Sequence, residues 1–144
     1  MRAVRTGSLA LAVALLATGC GATLGDPMGR QNALEDTQRR YTQLVRWGEI
    51  EKASEFVDPA LRQDFLVHGP QLETLRITDF EIGTIERSGD EASVTVTYRA
   101  YSIASASEKP IREKQLWYRE TGLDNVWRVR SELPEQLRAF EASP

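Results

Sequence analysis

The sequence contains very few residues of the types that form metal centres and nucleophilic active sites. Its 144 residues include one cysteine, Cys20, and one histidine, His68. A single cysteine excludes an internal disulfide framework and any zinc or iron–sulfur site built from several cysteines. His68 directly precedes Gly-Pro, a context typical of a surface loop histidine. No glycine-rich phosphate loop, nucleophile elbow or metalloprotease motif is present. We therefore expect a protein that is not an enzyme and that binds no metal and no cofactor.

The sequence also has no excess of positive charge. It carries 18 Lys and Arg against 21 Asp and Glu, for a net charge of −3. A slightly acidic chain is a poor candidate for neutralising phosphates, so we expect no nucleic-acid partner. Hydrophobic residues at 41% and charged residues at 27% are typical of a globular protein, and the length predicts one domain.

The apolar run near the N-terminus is too short to cross a membrane. Residues 9–17 are uncharged and rich in Leu, Ala and Val, and they follow Arg2 and Arg5. A membrane span needs about 20 apolar residues, whereas a secretory signal peptide has a basic segment followed by a shorter apolar run. The run ends in Ala17-Thr18-Gly19-Cys20, where small residues precede the sole thiol.

This segment resembles the signal peptide and lipobox of bacterial lipoproteins, although Leu16 stands one place earlier than the Leu of the family pattern. The resemblance implies that residues 1–19 are removed and that Cys20 receives diacylglycerol and fatty acyl groups, such as palmitate. Gly21, rather than Asp, follows the cysteine, which favours the outer membrane facing the periplasm. Residues 20–32 comprise the lipidated cysteine and a stretch rich in Gly, which predicts a flexible tether.

Helices are predicted first along the domain. Apolar residues recur at helical spacing over residues 34–45, and a shorter helix is predicted over residues 49–57. Asp58-Pro59 is a typical start signal for a third helix, with Leu61 and Phe65 facing inward.

Strands follow the helices. The alternation of apolar and polar residues predicts strands over 76–87, 92–100, 111–120 and 126–130, with a bulge near Gly83 in the first. Residues 33–133 form a single predicted α+β domain, and residues 134–144 a short helix or tail. We expect N-terminal helices packed on a curved antiparallel sheet of about four strands.

In element order this domain resembles the nuclear-transport-factor-2-like or SnoaL-like superfamily, in which a long helix lies in the curl of a bent sheet. The matching parts are the opening helices around Trp47-Gly48-Glu49 and the long strands from Val94 onward. A cystatin-like helix on a sheet is the neighbouring alternative.

Two groups of residues are candidates for binding. Aromatic residues combine apolar area with a polar group, so four of them could line a pocket between helix and sheet: Tyr41, Tyr98, Trp117 and Trp127. Five basic residues could form a cationic strip facing an anionic surface or partner: Arg99, Arg112, Lys114, Arg128 and Arg130. A solvated sheet face with cross-strand charge pairs is the alternative interpretation of the second group.

Two functions are therefore open. The first is a non-catalytic, lipid-anchored protein of the cell envelope that binds another envelope component. The alternative is a pocket protein that binds, or converts, a small apolar ligand.

Overall fold

A computed structural model describes residues 27–104, 107–122 and 126–142, with side chains from residue 33 onward. The predicted signal peptide, Cys20 and residues 21–26 of the predicted tether lie outside the described residues. None of the helices in the described ranges is both long enough and apolar enough to cross a membrane.

The helices are α1 (Pro27–Arg46), α2 (Ile50–Ser54), α3 (Arg62–His68), a 3₁₀ helix (Gly69–Thr74) and α4 (Leu133–Glu141). The start of α1 corrects the predicted tether, because residues 27–32 already belong to the helix. Helix α1 ends before Gly48, whose positive φ of 71° favours glycine and whose N–H donates to the carbonyl of Val45 at 3.0 Å. The last predicted segment is the helix α4 rather than a loose tail.

The strands are β1 (Leu75–Ile82), β2 (Glu86–Ser88), β3 (Glu91–Ser102), β4 (Glu108–Arg119) and β5 (Trp127–Ser131). They form one curved antiparallel sheet in the order β1-β3-β4-β5, and β2 also pairs with β3. Helices followed by such a sheet confirm the predicted α+β class.

The sheet has five strands rather than four because the predicted strand over residues 76–87 is divided near Gly83. The Gly83 N–H donates to the carbonyl oxygen of Thr95 at 2.9 Å. A Cβ atom at position 83 would lie 2.9 Å from that same oxygen, so only glycine fits without a shift. The chain passes close to β3 at this point and pairs with β3 again as β2. The single strand predicted over residues 76–87 is therefore two strands, β1 and β2.

The loop before α3 departs from the predicted helix start. Asp58 makes a turn, in which its Oδ1 accepts from the Ala60 N–H at 3.0 Å, and α3 begins only at Arg62. Leu61 is therefore 42% exposed, which corrects its predicted inward orientation, whereas Phe65 is buried as predicted.

Side chains alternate between two faces of the sheet. The inner face packs against the helices and carries alternate residues of β3 and β4 from Ala92 to Ala100 and from Ile111 to Trp117. Leu34, Tyr41 and Val45 of α1 and Leu133 and Leu137 of α4 complete this core. We call the opposite, solvent-facing side of the sheet the outer face.

Candidate functional site

Three of the four predicted pocket residues meet in the core beneath α1. Tyr41 contacts Trp117 with ring centroids 5.7 Å apart, and Tyr98 lies on the neighbouring strand β3. Tyr41 and Tyr98 are 0% exposed and Trp117 is 1% exposed. Trp127 is also buried, at the start of β5, where the guanidinium of Arg87 lies 5.2 Å from its ring centroid. The rings are thus packed among other side chains rather than open to solvent.

A buried carboxylate, Glu113 on β4, lies at the centre of this aromatic cluster. Its Oε1 accepts from the hydroxyls of Tyr41, at 2.8 Å, and Ser131, at 2.5 Å. Its Oε2 accepts from the hydroxyl of Tyr98 at 2.7 Å and from Nε2 of Gln115 at 2.8 Å. Four donors from four parts of the chain therefore surround one carboxylate.

A second buried side chain, Gln115, extends this network across the core. Its Oε1 accepts from Nε1 of Trp117 at 3.1 Å and from Nε2 of Gln38 at 3.2 Å. Gln38 also donates to the hydroxyl of Thr42 at 3.0 Å. Since Gln38 and Thr42 belong to α1, the network joins the first helix to the middle of the sheet. It supplies the partners that buried polar groups require.

Burial perturbs the titration of this cluster. Desolvation raises the pKa of the Glu113 carboxyl, and the hydrogen bonds from Ser131, Gln115 and the two tyrosines offset part of that rise. Desolvation and the neighbouring Glu113 likewise raise the pKa of Tyr41 and of Tyr98 well above 10.0. Each oxygen of Glu113 already accepts two hydrogen bonds from the chain. This carboxylate therefore offers no free position to a bound molecule.

The single histidine is also engaged by the chain. His68 ends α3, and its Nδ1 lies 2.9 Å from the backbone oxygen of Asp64. Its Nε2 lies 3.3 Å from the guanidinium of Arg138 on α4. No group of three or more His, Cys, Asp or Glu side chains in the described ranges is arranged to hold a metal ion.

The outer face carries all five residues of the predicted cationic strip. Arg112 and Lys114 of β4 pair with Thr97 and Thr95 of β3. Arg99 is one pair further along the sheet, opposite Pro110. On the other side of β4, Arg130 and Arg128 of β5 pair with Leu116 and Tyr118. Because paired residues share a face, this register gathers the five basic side chains on one side of the sheet.

Two of these five basic residues are held by ion pairs. Nε of Arg128 lies 3.1 Å from Oε2 of Glu120. Nε of Arg130 lies 2.9 Å from Oδ2 of Asp58, and its guanidinium lies 4.8 Å from the ring centroid of Tyr118. The amide of Ala60 and then Arg130 lower the pKa of the Asp58 carboxyl.

The other three basic residues, Arg99, Arg112 and Lys114, are exposed, and none of them makes an ion pair with another described residue. Within the described residues, no carboxylate oxygen lies within 4.0 Å of their charged nitrogens. Their cross-strand neighbours Thr95 and Thr97 present hydroxyls on the same face. This part of the predicted strip is thus available to an anionic partner.

A groove of about 390 Å³ continues this surface toward the end of the sheet. One side of the groove is lined by Leu116, Tyr118 and Arg130, and the other side by Glu86 and Glu91. Leu116, in the second half of β4, is 40% exposed. The groove therefore presents apolar surface next to charged groups.

The sequence pattern did not indicate the polar residues of the core, above all Glu113, Gln115 and Ser131. One signal could have found two of them. Ile111 and Trp117 are an even number of residues away from Glu113 and Gln115 along β4, so all four side chains lie on the same face of the strand. Two apolar residues on that face would have indicated that it is the inner one.

Comparisons with known proteins extend no further than the fold. No family model matches the sequence, and no curated protein sequence matches it. The solution structure of a SEC-C motif-containing protein from Rhodopseudomonas palustris is 15% identical, with a TM-score of 0.55 over 67% of this chain and 74% of that chain. The crystal structure of a protein described as a SnoaL-like polyketide cyclase from Mesorhizobium loti is 14% identical. Its TM-score is 0.40, over 67% of this chain and 97% of that chain.

At such low identity the first of these likenesses shows a shared fold alone. The TM-score of the second is too low to support an argument about this chain.

Proposed function

We propose that this chain is a non-catalytic, lipid-anchored protein of the bacterial cell envelope that binds another envelope component through the outer face of its sheet. The observation that carries the proposal is a set of exposed basic side chains on that face, Arg99, Arg112 and Lys114, which make no ion pair within the part of the chain that the structure describes. Exposed basic side chains that make no ion pair attract a partner of the opposite charge.

The proposed anchor is Cys20, and it would hold the domain close to the membrane. Each buried methylene of an acyl chain contributes about 0.8 kcal/mol, so two or three chains give stable attachment. Helix α1 begins at Pro27, so only residues 21–26 separate the cysteine from the folded domain. Fully extended, such a segment reaches about 20 Å. The binding face would then meet partners near the membrane surface.

The alternative function, binding of a small apolar ligand between helix and sheet, has less support. Tyr41, Tyr98 and Trp117 would have to separate to admit a ligand. That movement would break the hydrogen bonds from the two tyrosines to Glu113. Since a buried group left without its partner costs about 1–3 kcal/mol, a ligand would need to replace those contacts.

The anchor is tested by intact mass spectrometry of the protein extracted from its native membrane. We expect the mass of residues 20–144 plus two or three acyl chains. Cys20→Ser should abolish acylation and release the protein from the membrane fraction or leave the precursor unprocessed. Its domain should still fold, as judged by circular dichroism. An unacylated wild-type chain in that mass spectrum would refute the lipid anchor.

The binding face is tested by photo-crosslinking in cells. A benzoylphenylalanine at Thr95, exposed on the outer face, should give a discrete crosslinked product. The same probe at Arg39, exposed on α1, serves as the control. Crosslinks that form from position 39 and not from position 95 would place the interaction on the helical side and overturn the proposal.

A further inference from the structure

Two of the exposed cations of the outer face belong to one row of side chains along β4. Arg112 and Lys114 are two residues apart on the same face of this strand, so their Cα atoms are about 7 Å apart. Leu116 and Tyr118 continue the row at the same interval. Another chain in extended conformation repeats its side chains on one face at that interval as well.

Carboxylates border the row on the same face. Register pairs Asp79 and Glu81 of β1 with Arg99 and Thr97, and Glu86 and Glu91 lie beside the groove. An anionic membrane is a plane and would approach these carboxylates together with the cations. A single extended chain could follow β4 and contact the cations alone. The arrangement of charge therefore favours a narrow anionic partner over an anionic bilayer.

The row also changes in character along its length. Its first part is cationic, at Arg112 and Lys114, and its second part is the groove beside the exposed side chain of Leu116. A purely anionic polymer would match only the first part. A peptide can match both, with carboxylates followed by an apolar side chain.

We propose that the outer face along β4 binds an extended acidic segment of a partner protein, with two carboxylates on Arg112 and Lys114 and an apolar side chain in the groove beside Leu116. This inference rests on the proposed function, because it names the chemistry of the partner at the same face. The hydroxyls of Thr95 and Thr97 lie opposite the two cations and can donate to the same carboxylates.

The test measures peptide binding to the full chain in a non-ionic detergent by fluorescence anisotropy. The probe is a labelled ten-residue peptide that contains the pattern Glu-x-Glu-x-Leu, in which each x is Ser or Thr. The reference peptide has Gln in place of both Glu residues. Since each exposed ion pair contributes modestly, we expect the Glu peptide to bind about five-fold more tightly at low salt. That preference should decline as salt is added.

Three variants make the test specific. Arg112→Gln with Lys114→Gln should remove the preference for the Glu peptide, and Leu116→Ser should weaken both peptides. Arg39→Gln with Arg40→Gln removes the same charge from exposed positions on α1 and should leave binding unchanged. The inference is overturned if the Arg39/Arg40 control loses the preference for the Glu peptide as fully as the Arg112/Lys114 variant does. It is also overturned if the wild-type protein binds the Glu and Gln peptides equally.

Two further probes distinguish other classes of partner. Phosphatidylglycerol mixed into the detergent micelles and a soluble polygalacturonate should each displace the labelled peptide less effectively than the unlabelled peptide does, and more effective displacement by either one overturns the acidic-peptide inference. If position 95 gives a crosslinked product in cells but the Glu peptide does not bind, the proposed function stands and only this inference is rejected. If position 95 gives no crosslinked product and the peptide does not bind, the proposed function and this inference are both rejected.

Discussion

Replacing Glu113 with Ala should destabilise the protein more than any other single change in the core network. The substitution leaves four donors without their acceptor: the hydroxyls of Tyr41, Tyr98 and Ser131 and the amide of Gln115. All belong to residues that are buried or half-buried, so water cannot readily replace the carboxylate. Each buried donor left without a partner costs about 1–3 kcal/mol, so we expect Glu113→Ala to lose about 3–5 kcal/mol of unfolding free energy. That loss is a large share of the 5–15 kcal/mol by which a domain is typically stable.

Glu113→Gln should cost less, about 1–2 kcal/mol, because the amide keeps the shape of the side chain. Its oxygen can still accept from Tyr98 and Gln115. Its NH₂ group can donate to the hydroxyl oxygens of Tyr41 and Ser131, which rotate to accept. Urea unfolding followed by tryptophan fluorescence measures the free energy of unfolding of each variant, since Trp117 and Trp127 are buried.

The cost of Glu113→Gln should also depend on pH. Burial raises the pKa of the Glu113 carboxyl above its ordinary value of 4.5. The folded protein therefore retains this proton at pH values where the unfolded chain has lost it. The resulting stabilisation is complete below the ordinary value and is lost as pH rises through the raised pKa. Glutamine cannot titrate, so the difference in unfolding free energy between wild type and variant should shrink as pH rises.

A matched control separates burial from loss of charge. Glu81→Ala removes a carboxylate from an exposed position on β1 and should change the unfolding free energy by no more than about 0.5 kcal/mol. An unfolding free energy of Glu113→Ala within about 1 kcal/mol of wild type would contradict this prediction, because one unsatisfied buried group normally costs at least that much. An increase with pH in the cost of Glu113→Gln would contradict the direction of the pKa shift.

Two further predictions concern the turns that border the sheet. Gly83→Ala should lower the unfolding free energy by about 1–3 kcal/mol, because the new Cβ would meet the Thr95 carbonyl oxygen at 2.9 Å; a thermal midpoint equal to wild type would contradict this close approach. Asp58→Asn keeps an acceptor for the Ala60 amide but removes the negative charge that faces Arg130. Because this ion pair is partly exposed, the substitution should lower the unfolding free energy by less than about 1 kcal/mol at neutral pH. The folded pKa of Asp58 lies below 3.8, so the stabilisation by the ion pair should be present above that value and disappear as pH falls through the folded pKa. Urea unfolding of wild type and variant at neutral and acidic pH measures this difference in unfolding free energy, and a difference that grew on acidification would refute the prediction.

The sequence predicted the parts of the fold in which local pattern and tertiary environment agree. In β3, apolar Val94, Val96 and Tyr98 alternate with polar residues, and all three lie on the buried face. The stripe of α1 likewise predicted that Leu34 and Tyr41 face the core. The division of the first strand near Gly83 could not be predicted, because it depends on how closely the chain approaches Thr95 of a different strand.

Strand β4 shows why the buried network escaped prediction although the strand itself did not. Its inner face carries Glu113 and Gln115 between two apolar residues, while its outer face carries the exposed Leu116. Ile111 and Trp117 are thus the only local sign of the buried face of β4, and a one-residue error would exchange the two faces. The donors that make a buried carboxylate tolerable come from α1, β3 and β5, far apart in sequence. Only the assembled fold brings them within hydrogen-bond distance, so Glu113 looks like a surface acid until its partners are in place.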